Sequence, residues 1–261
     1  MAQLMTSTPV VMSISSLDPS GCSGISAAIE TLASLGCHCT PVITQLIARD
    51  SSGIKDTRVT DSSLLIEQIR AVLEDIPVDL IHIGNLASVS NVEAVHTILN
   101  DYPNRPVVLH PGWHEQDSEP GMANAITTLL LPHSEITVLN HREAVSLAAG
   151  ADNLSACARE LMEYGCPNLF ISGILQGDKQ ISNIWYSRFS NNQTYQWPPL
   201  SYSVRGAGAT LSSALSAYLA HSFSLSESIQ QAQQFTANAL QKSRRIGMGE
   251  LIPDRLHWCR R

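Results

Sequence analysis

The stretch "RGAGATLSSALSAYL" places Gly206 and Gly208 directly ahead of a run that reads as a helix. A helix opens with backbone N–H groups that have no partner within it, and these carry partial positive charge. From Gly206 through Ala207 and Gly208 to Ala209, no side chain is larger than a methyl group, so a phosphate or similar anion can approach those N–H groups. The glycines also permit the dihedral angles of a tight loop. The pattern is not G-x-x-x-x-G-K-[ST], and Leu211 stands where G-x-G-x-x-G needs its third glycine. On these residues alone, a tight turn packed against a sheet is an equal alternative.

Other segments carry groups that could do chemistry. Asn140 and Glu143 in "LNHRE" have the spacing of a helix N-cap with a first-turn carboxylate. Asp18 and Gly21 in "DPSG" suit a turn with an Asx cap. His110, His114 and Glu115 in "HPGWHEQ" are metal-ligand types, but Pro111-Gly112 works against a shared helical face. A solvated loop with a packed Trp113 is the leading reading there, and Trp113 over a ligand ring is the alternative. The six cysteines (Cys22, Cys37, Cys39, Cys157, Cys166 and Cys259) include no C-x-x-C pair and read as free, packed thiols of a reducing compartment.

Short apolar strands alternating with amphipathic helices must position these groups. Strands are expected at Val10 to Ser15, Thr40 to Ala48, "DLIHIG", "PVVLH", "EITVLN" and "NLFIS". Helices are expected at Ile25 to Leu35, at Asp61 to Leu73 with Asp61 as N-cap, and at Val89 to Asn100 and Ala123 to Leu130. Further helices are expected at Leu154 to Tyr164, Thr210 to Ala220 and Leu225 to about Lys242. "ISNIWYSRFSNNQTYQW" reads as a hairpin turning at Asn191-Asn192. The alternation implies one α/β domain over residues 1–261 with a mostly parallel sheet, whose ligands collect at the carboxyl ends of the strands. The net charge of -7 argues against nucleic-acid binding. No apolar run reaches the ~20 residues of a membrane span, and the first residues lack a signal-peptide pattern, so a cytoplasmic protein without membrane partners is expected.

The order of "DPSGCSGI…LASLG", "VITQLIA", "LNHREA" and "GAGATLSSALSAYLA" resembles the hydroxymethylpyrimidine and phosphomethylpyrimidine kinases of thiamin synthesis, within the ribokinase superfamily. The resemblance spans about residues 10–242. It implies a ribokinase-like three-layer α/β/α fold, ATP and Mg2+ as cofactors, a small-molecule substrate and a homodimer. It further implies that Gly206 to Ala209 form the anion hole for the transferring phosphate and that Asn140 and Glu143 support the magnesium-bound phosphates. Ser172 and Gly173 then lie on the nucleotide side, and Asp18, Gly21, Arg49, Asn85 and His110 on the substrate side.

Several of these positions depart from the family. Its glycine loop reads G-T-G-C and ends in the presumed general base, where this chain has Ala209. Its Asp near the phosphates is His110, and its Lys-Gly-Gly-His segment becomes Ser172, Gly173, Ile174 and Leu175. Its pyrimidine-reading Gln is Arg49, which can only donate, and a Met is Asn85. Loss of a general base lowers rate by ~10² to 10⁴. The expectation is therefore a slow ATP-dependent kinase in which Asp18 or a water held by His110 replaces the base. A non-catalytic binding or regulatory paralogue is the alternative, and a kinase for a more anionic substrate, forked by Arg49, is a third reading.

Overall fold

The computed structural model describes residues 8–113, 119–176, 180–200 and 202–259. Nine strands form one sheet: β1 (Val10–Leu17), β2 (His38–Arg49), β3 (Ile54–Val59), β4 (Leu80–Ile83), β5 (Val107–Leu109), β6 (Ile136–Asn140), β7 (Asn168–Gln176), β8 (Gln180–Ser187) and β9 (Gln193–Trp197). Their order is β3-β2-β1-β4-β5-β6-β7-β8-β9. The strands from β2 to β7 in that order are parallel, and β3, β8 and β9 add antiparallel edges.

Helices cover both faces, because parallel strands need crossovers that bury each side. Along each strand the apolar residues alternate between two cores. Met12, Ile81, Leu109, Leu139 and Ile171 face a core shared with α2 (Ser62–Asp75), α3 (Val89–Asp101), α4 (Met122–Ala125), α5 (His141–Leu147) and α6 (Leu154–Glu163). Val11, Leu80, Val108, Val138 and Phe170 face α1 (Gly24–Ser34), α7 (Ala207–Ala220) and α8 (Leu225–Gln241). This is the expected three-layer α/β/α arrangement. The chain leaves β1 for β2 on one side and returns to β4 on the other, which opens a crevice at the carboxyl ends of β1 and β4.

Several elements depart from the sequence expectation. Strand β3 has no apolar alternation, because every one of its residues is exposed on an edge. Helix α7 begins at Ala207 rather than Thr210, since Gly206 takes the left-handed conformation (φ 93°) and lets the helix start early. The helix expected at Ala123 to Leu130 is a single turn, α4, that widens into a π turn over Ile126–Leu130. Asp61 caps α2 as expected, accepting from the Ser63 N–H. Among the described residues the cysteines are unpaired, and burial pushes the Cys37 and Cys39 thiols up to about 11 and about 12.

A buried histidine fastens α7 to the sheet. His82 on β4 sits beside Ser13 on β1, with Nδ1 2.9 Å from the Ser13 hydroxyl, and its Nε2 lies 3.0 Å from the Ser212 hydroxyl of α7. Burial, with a smaller contribution from His110, pushes its pKa from 6.5 down to about 3. Between those values the unfolded chain binds a proton that the folded chain does not. Unfolding free energy therefore falls as pH drops below about 6.5, by at most ~1.4 kcal/mol per pH unit from this group. Urea unfolding at pH 7 and pH 5 should show a smaller loss of stability in His82→Gln than in the unaltered chain. Equal losses would remove His82 as the source.

Candidate functional site

Most of the described residues singled out from the sequence lie at the carboxyl end of a parallel strand or at the start of α7. Asp18 follows β1, Arg49 ends β2, Gly84-Asn85 follows β4, His110 follows β5, and Asn140 ends β6. Ser172 lies beside Asn140 in the β6–β7 ladder, at a bulge that continues through Gly173.

The glycine loop is built as an open helix start. The first backbone bond of α7 runs from the Thr210 N–H to the Gly206 carbonyl (3.0 Å), and among the described residues no side chain caps the helix. The N–H groups of Ala207, Gly208 and Ala209 precede that bond. Gly206 is held against the turn after β1, where an added Cβ would stand 1.9 Å from the Cys22 carbonyl oxygen. At Gly208 an added Cβ would stand 2.8 Å from Nε2 of His110, so the imidazole lies directly against the loop. His110 Nδ1 is 3.0 Å from the Val138 carbonyl.

Asp18 is fully buried and its carboxylate is saturated. Oδ1 accepts from the Ser20 N–H (2.9 Å) and the Ser20 hydroxyl (2.6 Å). Oδ2 accepts from the Ser23 N–H (3.1 Å) and hydroxyl (2.8 Å), and Arg49 Nη1 lies 3.5 Å away. These bonds shape the "DPSGCSG" turn, in which Gly21 is left-handed (φ 75°). The geometry therefore spends Asp18 on the turn and leaves it unsuited to the expected base role. Arg49 shows the opposite balance. Its side chain is 4% exposed, yet among the described residues Nη2 has no hydrogen-bond partner. A buried, unpartnered donor on a cation is costly and marks a place where an acceptor belongs.

Asn85 is spent on backbone. Its Oδ1 accepts from the Ala87 N–H (3.0 Å) and its Nδ2 donates to the Gly112 carbonyl (3.0 Å), which holds Ala87 at φ 70°. Asn140 and Glu143 form a complete capping box on α5, with the Asn140 N–H donating to Glu143 Oε2 (2.7 Å) and the Glu143 N–H to Asn140 Oδ1 (2.9 Å). The Ser172 hydroxyl donates to the Leu139 carbonyl (3.3 Å), and the Gly173 N–H to Asn183 Oδ1 (3.0 Å). Trp113 is buried in the core, as the packed reading expects. His114 and Glu115 lie outside the described residues. Among the described residues no group of three potential metal ligands forms.

Sequence reasoning missed Arg255. It is fully buried and joins the two loops that define the crevice. Its Nε donates to Thr210 Oγ1 (2.9 Å), Nη1 to the Gly21 carbonyl (2.9 Å) and to Glu30 of α1 (2.9 Å), and Nη2 to the Cys22 carbonyl (2.5 Å). Its one sequence signal is a lone Arg set in "LIPDRLHW", where Ile252, Pro253 and His257 are buried. Arg255→Ala leaves those carbonyls and the Thr210 hydroxyl without their donor, and should cost about 3 to 5 kcal/mol in urea unfolding. Glu30 is half-exposed, so Glu30→Gln should cost under ~1 kcal/mol. Equal costs would place the stabilisation in the ion pair rather than in the clamp.

Comparison with known proteins identifies the family and the fold. The family model described as phosphomethylpyrimidine kinase matches residues 18–254. A hydroxymethylpyrimidine/phosphomethylpyrimidine kinase of Salmonella typhimurium is 30% identical over 251 residues, covering 92% of this chain and 94% of that one. The pyridoxal kinase of Staphylococcus aureus in complex with AMP-PCP and pyridoxal superposes with a TM-score of 0.87 at 21% identity, covering 97% of this chain and 95% of that one. A phosphomethylpyrimidine kinase of Clostridium difficile gives a TM-score of 0.78 at 22% identity, covering 89% of this chain and all of that one. At those identities the structural matches establish the fold.

Proposed function

The chain belongs to the phosphomethylpyrimidine kinase family, and from that premise we propose that it transfers the γ-phosphoryl group of ATP to hydroxymethylpyrimidine, its phosphate or a related small alcohol. The observation that carries this reading is the start of α7, which no side chain caps among the described residues and whose first helical bond begins only at the Thr210 N–H, after Ala207, Gly208 and Ala209. Phosphoryl transfer is catalysed chiefly by positioning and by fixed dipoles at the transferring group, and this helix start supplies both. Asp18 and Gly21 shape the substrate-side turn, and Asn140, Ser172 and Gly173 border the nucleotide side.

Mg2+ would be held at Glu143. The donor set fits such an ion only in part: Glu143 is buried with Oε2 committed to the Asn140 N–H, and no further carboxylate clusters with it among the described residues. That suits an ion carried largely by nucleotide phosphates and water, which is the usual habit of Mg2+. The bound ion would neutralise charge on the phosphates. A homodimer and a cytoplasmic location belong to this reading through the family. No helix among the described residues is long and apolar enough to cross a membrane.

Two departures favour a second reading, a ligand-binding protein without turnover. Ala209 offers no proton acceptor, and Ser172 offers no cation beside the phosphates. Transfer of labelled γ-phosphate from ATP to hydroxymethylpyrimidine decides between them. Slow transfer, below ~1 s⁻¹, is expected, against a typical enzyme turnover of ~10 s⁻¹. Nucleotide binding without any transfer would establish the second reading. Arg49 tunes the substrate side, because a guanidinium donates and cannot accept. Arg49→Gln should tighten hydroxymethylpyrimidine binding by roughly five- to tenfold, the order of one hydrogen bond of ~1 kcal/mol. Unchanged affinity in calorimetry would take Arg49 out of the substrate pocket.

A further inference from the structure

We propose that His110 is the proton acceptor of the transfer, standing in for the group that Ala209 lacks; this rests on the kinase reading above. The first support is the tautomer. The Val138 carbonyl can only accept, so the 3.0 Å contact fixes the proton of the neutral ring on Nδ1 and leaves the lone pair on Nε2. The second is placement. Nε2 lies 2.8 Å from where a Gly208 Cβ would stand, so the glycine leaves the room that brings the imidazole to the open end of α7.

The third support is elimination among the neighbouring groups. Asp18 has every carboxylate direction filled by Ser20, Ser23 and Arg49. His82 is bonded at both nitrogens, to Ser13 and Ser212. The Cys22 thiol is buried under the Ser20 hydroxyl, and Glu143 is tied into its capping box. His110 alone in this set is partly exposed, and among the described residues its Nε2 makes no hydrogen bond.

The surroundings tolerate the charge that this role creates. The titratable neighbour of His110 on β4 is His82, which burial keeps neutral with its pKa pushed down to about 3. Helix α7 presents Gly208 and β6 presents the Val138 carbonyl, which bonds the imidazolium as well as the imidazole. In the reaction, the substrate hydroxyl oxygen bonds to the γ-phosphorus while the bond from that phosphorus to the β,γ-bridging oxygen breaks. The nucleoside diphosphate leaves with that electron pair, and the hydroxyl proton passes to Nε2. The imidazolium then rests against the newly transferred phosphoryl group, supplying a positive charge that Ser172 does not, and returns its proton to water after release.

The test uses the full chain with ATP and hydroxymethylpyrimidine, and compares the unaltered protein with His110→Gln and with His110→Gln/Ala209→Cys. Calorimetry with a non-hydrolysable ATP analogue first shows that each variant is folded and binds nucleotide. His110→Gln should lower kcat by ~10² to 10⁴ and abolish the fall in kcat/KM on the acidic side of the pH profile. The double variant, which places a thiol at residue 209, should regain part of the loss and show a new dependence set by the thiol. Transfer by His110→Gln at an undiminished rate with the same acidic limb would overturn the assignment while leaving the kinase reading intact. No transfer by the unaltered chain would overturn the kinase reading, and the assignment with it.

Discussion

The crevice of this protein depends on one buried guanidinium. Arg255 reaches from near the end of the described chain to the carbonyls of Gly21 and Cys22, the hydroxyl of Thr210 and the carboxylate of Glu30. It thereby pins the turn after β1 to the first turn of α7. The approach is so close that Gly206 has no room for a side chain beside the Cys22 carbonyl. Most helix starts are positioned and satisfied by an N-cap side chain, which uses the terminal N–H groups. Here the first turn of α7 is held through the Thr210 hydroxyl, which accepts from Arg255, and no side-chain cap takes the helix's first N–H groups among the described residues, so they are left for a ligand.

Charge around the crevice is distributed by the same economy. Asp18 lies in the interior, where its carboxylate accepts from four donors of its own turn and from Arg49. His82 is kept neutral by burial and serves as a strut between β1, β4 and α7. Arg49 is buried, and among the described residues its Nη2 has no acceptor. Among the described residues these commitments leave the backbone dipoles of the α7 start, the Nε2 of His110 and the incompletely paired Arg49.

The fold was largely legible because the central strands alternate between two cores and most helices present an apolar face, although α7 is buried on every side from Thr210 to Ala217. The signals failed where burial did not impose a pattern. Strand β3 pairs only at an edge and is exposed along its length, so "IKDTRV" shows no period of two. The early start of α7 was hidden because glycine reads as a helix breaker, although a left-handed Gly206 is what permits the start. Within the site, the loop, Asp18, Arg49, His110 and Asn140 were all visible as residues at strand ends. Their commitments were not. That Asp18 and the Asn85 amide are consumed by backbone groups follows only from coordinates. Arg255 was invisible because its partners lie 45 to 234 residues away, and no local spacing links them.

The central claim is that the start of α7 receives the phosphates. The most direct measurement is an amide NMR titration of the 15N-labelled chain with a non-hydrolysable ATP analogue. A phosphate seated on the helix start should give its largest amide-proton shifts at Ala207, Gly208 and Ala209, downfield, as those N–H groups gain a charged acceptor. Shifts centred instead on the cavity lined by Arg205, Arg245 and Ser51, with Ala207 to Ala209 unmoved, would contradict it.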